Sequence, residues 1–125
     1  MYIPYNPNPY HKLVGDCTVR AIAKVTDTDW DTAYLGIVLE GFIIKDMPSS
    51  NDVWGAYLYS EGFRRGIIPN TCPKCYSVRE FCHDNPNGTF LLATGTHVIA
   101  IINGDYYDTW DSGDEMPIYY WRKET

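Results

Sequence analysis

The chain has 125 residues, 45% hydrophobic and 21% charged, the composition of one globular domain; this excludes whole-chain disorder, collagen, coiled coil and a membrane span. Ten Lys and Arg against sixteen Asp and Glu leave a formal charge of −6, which phosphate backbones and anionic lipid repel, so neither nucleic acid nor membrane is an expected partner. The first residues offer no basic start and no apolar run, so no secretion signal is read there; the four cysteines are then expected as reduced thiols or metal ligands in a cytoplasm.

Residues 1–14 read as an extended arm, because Pro4, Pro7 and Pro9 forbid a helix and the tyrosines between them call for burial across the domain. Residues 15–86 read as mainly helical. A first helix begins near Asp16, a good N-cap, with Thr18, Ala21, Ile22 and Val25 as its apolar stripe. A second carries Trp30, Ala33, Tyr34, Ile37 and Val38 and is expected to stop at Gly41. A third follows Ser49-Ser50-Asn51 and ends at Gly62, and Ser77-Val78-Arg79-Glu80 has the capping-box spacing of a short fourth. Residues 89–122 read as β-sheet, with strands over 89–94, 97–102, 105–110 and 118–121, and Asn103-Gly104 is a strong hairpin signal between the middle two. The expectation is a single α+β domain whose helices pack on an antiparallel meander of about four strands.

Cys17 falls in the first turn of the first helix, where unpaired N–H groups and the helix dipole favour a thiolate; it reads as a nucleophile or as a small buried apolar residue. His97 opens a very apolar strand, either as a general base or as a hydrogen-bonded core histidine. A two-residue turn at Asn103-Gly104 sets Ile102 opposite Asp105 and Ile99 opposite Asp108, so His97 and Asp108 become diagonal neighbours on one face. Asp111 would face His97 only if the turn held one more residue, and it stays as the alternative third member. Nucleophile, base and orienting carboxylate are the parts of a cysteine hydrolase.

Three segments, residues 15–22, 95–100 and 107–111, resemble the papain-like cysteine peptidase superfamily, closest to the small bacterial branch that includes double-glycine leader peptidases. They also resemble small proteins common in bacteriophages and their hosts. The resemblance implies a papain-like fold and a peptidase triad of Cys17, His97 and Asp108, with a peptide or protein as substrate and no cofactor. Papain-like enzymes place a glutamine about six residues before the cysteine as a second oxyanion donor. His11 stands there in this chain, as a candidate oxyanion donor or an exposed loop residue, with Asn8 and Asn6 earlier.

Cys72-Pro73-Lys74-Cys75 with Cys82 or His83 is half of a zinc-ribbon pattern; zinc ligands, a redox pair and plain thiols are all open readings. The acidic stretch 111–115 reads as a solvated loop that could select a basic substrate, and the many aromatics read as core or as the lining of a peptide groove. The function expected is hydrolysis of peptide or isopeptide bonds through an acyl-enzyme. The alternatives are transglutaminase-like acyl transfer and a phage-type binding module on the same fold.

Overall fold

The computed structural model describes residues 1–69 and 74–124. The elements run β1 (Tyr2–Pro4), α1 (Cys17–Val25), α2 (Trp30–Ile44), α3 (Asn51–Ser60), β2 (Phe63–Ile67), α4 (Val78–Asp84), β3 (Thr89–Ala93), β4 (Val98–Ile102), β5 (Asp105–Asp108) and β6 (Tyr119–Lys123). The fold is α+β, as expected, but the four-strand antiparallel meander is corrected to a six-stranded mixed sheet ordered β1-β5-β4-β3-β6-β2. Strands β3, β4 and β5 do form a meander. The chain then crosses back, so that β6 pairs with β3 on the far side from β5.

The two edge strands fall in segments expected as arm and helical region. β1, part of the arm, runs parallel to β5, and Pro4 is tolerated there because an edge strand has one row of unpaired groups. β2 pairs antiparallel with β6; its Arg64 and Arg65 are exposed, as charges on an edge strand should be. Its sequence, Phe-Arg-Arg-Gly-Ile, lacks the alternation that marks a half-buried strand.

Both faces of the sheet are covered. Leu91, Ala93, Val98, Ala100 and Trp121 pack with α1, α2 and α3. Phe90, Leu92, Ile99 and Ile101 face the other way, against Val78, Phe81 and Cys82 of α4. Burial on both faces explains why β3 and β4 are unbroken apolar runs.

Two helix ends differ from expectation. Gly41 does not stop α2, which continues to Ile44 and caps at Lys45 with φ 61°. Gly41 is instead a point of close approach: a Cβ there would lie 2.8 Å from the Asp46 carbonyl oxygen and 3.4 Å from Val53. Asp16 takes the N-cap position of α1, yet its side chain makes no cap hydrogen bond and is used elsewhere. The caps at Ser50 and Ser77 form as read, accepting from the backbone N–H of Asp52 and Glu80. Among the described residues no helix is long and apolar enough to cross a membrane.

Candidate active site

Three elements meet at the site. Cys17 is the first residue of α1. His97 immediately precedes β4, held by a tight turn: Thr94 Oγ1 accepts from the His97 backbone N–H at 2.9 Å, and the Thr94 N–H donates to the His97 carbonyl at 2.8 Å. Asp108 ends β5. Asn103 and Gly104 have φ 49° and 80°, the paired positive values of a type I′ turn, and the register Ile102–Asp105, Ile101–Tyr106, Ala100–Tyr107 follows from it.

The turn brings His97 Nε2 to 2.6 Å from Asp108 Oδ2. The Cys17 thiol and the His97 imidazole line the same cleft, and each shifts the other's pKa. The sequence-read residues Cys17, His97 and Asp108 thus come together, with Cys17 beside the imidazole and Asp108 hydrogen-bonded to it. Asp111 is not part of it: Tyr106 Oη donates to Asp111 Oδ1 at 2.5 Å and Arg79 lies 3.6 Å away. The turn holds two residues, so Asp111 never comes opposite His97.

Further residues surround the three; counting outward from the turn sets Trp110 opposite His97, whereas Arg20, Ser112 and Thr109 were not picked out from the sequence. Asp108 is 2% exposed. Its Oδ2 accepts from Ser112 Oγ at 2.8 Å, and its Oδ1 accepts from the Thr109 N–H at 2.8 Å and from Arg20 Nη2 at 3.2 Å. Arg20 also donates to Asp16, and Asp16 Oδ2 accepts from Trp30 Nε1 at 2.9 Å. Trp110 covers the imidazole, its ring centroid 5.1 Å from that of His97 at 33°. The available sequence signal for this network was an Asp and an Arg four apart at a helix start, and it reads equally as a surface pair.

The network sets the protonation of the site. Burial raises the Cys17 thiol, but the His97 hydrogen bond, the Val98 backbone N–H and the charges of His97 and Arg20 outweigh it, so the pKa lies below the ordinary thiol value. Burial opposes charge on His97, yet the hydrogen bonds and charges of Asp108 and Cys17 prevail and carry its pKa up to about 9. Burial likewise raises Asp108, and the His97 and Ser112 hydrogen bonds overcome it, leaving the carboxyl below its usual range. Both directions favour a thiolate beside an imidazolium over the neutral pair, the ionisation that makes a cysteine nucleophilic.

A narrow cleft of about 170 Å³ opens over Cys17 and His97, lined among others by Asn51, Trp54, Gly95 and Tyr119. Trp54 and Tyr119 are stacked at 6.5 Å and 12°. The cleft shares Asn51 and Tyr119 with a second hollow of about 500 Å³, whose walls include Arg65 and Trp121. His11 is exposed, has φ 55° and is not among the residues lining the cleft. The polar side chains that do line it are those of Thr18, Ser49, Asn51, Thr94 and Thr96. The acidic loop is turned elsewhere: Asp111 and Asp114 pair with Arg79 on α4, and no residue of 111–115 lines the cleft.

Of the remaining cysteines, Cys75 and Cys82 do not line the cleft. Cys82 is 5% exposed in the core beneath α4, and burial raises its thiol to about 11. Cys75 is exposed. Cys72 falls outside the described residues. Among the described residues no group of three or more His, Cys, Asp or Glu is placed to hold a metal ion.

No family model, no curated protein and no solved structure matches this chain.

Proposed function

We propose that the protein is a papain-like thiol hydrolase acting on peptide or isopeptide bonds, with Cys17 as nucleophile, His97 as general acid and base, and Asp108 as the residue that orients the imidazole. The observation that carries this reading is the meeting of Cys17 and His97 in one cleft, with His97 Nε2 2.6 Å from Asp108 Oδ2, the thiol pKa lowered and the imidazole raised. The Cys17 thiolate attacks the carbonyl carbon of the scissile bond and the carbonyl oxygen takes the electron pair. The Cys17 backbone N–H, in the unpaired first turn of α1, stabilises that oxyanion. As the bond to nitrogen breaks, His97 gives its proton to the leaving amine and a thioester remains. His97 then takes a proton from water, whose oxygen attacks the thioester, releasing the acid and restoring the thiolate–imidazolium pair. An amine in place of that water gives acyl transfer by the same residues.

The cleft is too small for a bulky group beside Cys17, since ligand pockets usually start near ~300 Å³. Joined to the larger hollow past Asn51 and Tyr119, it suits an extended chain with small residues at the bond and a larger side chain beyond. The test is alkylation of Cys17 by iodoacetamide from about pH 4 to about pH 9, read by peptide mass spectrometry against free glutathione. The expected result is that Cys17 reacts well below the pH at which glutathione does, and that His97→Ala removes the advantage. Equal rates at every pH would sink the reading.

A second reading, a binding module that keeps this fold without turnover, draws on one observation, the place of His11 outside the cleft. A peptide library turned over by the wild type and not by Cys17→Ala would exclude it.

A further inference from the structure

α2 is apolar on two sides. Ala33, Ile37 and Gly41 are buried toward the domain. On the outward side Leu35, Leu39, Phe42 and Ile43 are 64%, 58%, 67% and 62% exposed, and Met47 just past the helix is 67% exposed. Steps of three and four set the four helical residues on one stripe more than two turns long. Single exposed apolar residues are normal on any protein, but adjoining ones of this size mark a surface that something covers.

We propose that this stripe is the contact between two copies of the chain, joined by antiparallel α2 helices about a two-fold axis between Val38 and Leu39. That axis sets Leu35 against the partner's Phe42 and Leu39 against the partner's Val38. One pair of opposite charges suits it. Lys45 caps the C-terminal end of α2, its Nζ 3.9 Å from the Phe42 ring centroid. Asp31 is exposed in the first turn of α2, at the other end. A two-fold axis across the helices reverses their direction, so Asp31 comes within one position of the point opposite the partner's Lys45, and the approach occurs twice. The area fits as well: the stripe exposes roughly 600 Å² on each copy, and burying both reaches the lower end of specific interfaces. A lipid surface fits worse. Helices that lie on membranes carry Lys and Arg along their flanks, whereas Asp29, Asp31, Glu40 and Asp46 outnumber Lys45 here.

The test is sedimentation velocity of the full chain from about 5 to about 200 µM, with the far-ultraviolet circular dichroism of each variant as a check on folding. The expected result is a concentration-dependent dimer that Leu39→Glu turns into a folded monomer. Asp31→Lys and Lys45→Asp should each weaken the dimer about tenfold, and the double variant, which restores opposite charges across the axis, should recover to within about threefold of wild type. A wild type that stays monomeric at the highest concentration overturns the proposal, and so does a dimer indifferent to Leu39→Glu. A dimer whose double charge variant does not recover overturns the antiparallel arrangement. Monomeric protein that floats with phosphatidylcholine–phosphatidylglycerol vesicles would assign the stripe to a membrane instead.

Discussion

Arg20 holds two buried carboxylates at once, Asp16 and Asp108, whose side chains are 6% and 2% exposed. Removing one partner from such a cluster costs more than the cluster contributes, because the charges left behind have already lost their water. Arg20→Met leaves two carboxylates facing each other without their guanidinium and should destabilise the protein by about 3–5 kcal/mol, measured by urea unfolding near pH 7. The same substitution removes one of the positive charges that lower the Cys17 thiol. The low-pH limb of Cys17 alkylation should therefore move to higher pH in a folded variant that lacks the charge, such as Arg20→Met. A purely structural Arg20 would lower stability and leave that limb in place. The position of that limb therefore decides whether Arg20 only stabilises the fold or also acts on the proposed nucleophile through Asp108 and its own charge.

At the scale of elements, Gly41 shows how magnitude decides sign. In the interior of α2 an alanine is intrinsically better than glycine by about 1 kcal/mol. The Cβ, however, would meet the Asp46 carbonyl oxygen at 2.8 Å, and that oxygen belongs to the backbone, to which the Asp46 N–H to Gly41 carbonyl bond also ties the chain. Overpacking against backbone costs ~1–3 kcal/mol. Gly41→Ala should lower the urea midpoint, and a raised midpoint would show that the loop after α2 yields freely. The same position shows what could be read in advance. As a one-dimensional signal Gly41 says helix stop, and only the fold reveals a close approach. The β4–β5 hairpin was legible because Asn103-Gly104 fixes its turn locally, and the placement of Asp108 beside His97 followed by counting. β1 and β2 were not legible as strands, because their pairings with β5 and β6 depend on contacts far along the chain. Trp110 opposite His97 followed by the same counting, whereas Arg20 escaped because its contact with Asp108 depends on the meeting of α1 with the end of β5.

For the molecule as a whole, the coupled site leaves a mark on stability against pH. His97 has a folded pKa raised to about 9 from 6.5, so its contribution is fully present below 6.5 and is lost as pH rises through 9. Cys17 has a folded pKa lowered from 9.0, so its contribution is fully present above 9.0 and is lost as pH falls through the lowered value. The two slopes have opposite sign. Where their windows overlap, the folded state holds one proton on the imidazole and the unfolded state holds one on the thiol, so the proton counts match and the slopes cancel. The wild-type melting temperature should accordingly be flat over that overlap, which ends near pH 9, as far as this pair is concerned. Cys17→Ala removes the rising limb and shortens the falling one, since Asp108 still holds the imidazolium while the share of the upward shift due to Cys17 is gone. Its melting temperature should decline over that range relative to wild type. Calorimetry of both proteins in the same buffers reads the difference directly, and because only the pH dependence is compared, any constant effect of the smaller side chain drops out. Parallel curves would mean that Cys17 and His97 meet as neutral thiol and neutral imidazole, and that the site is built to pack rather than to attack.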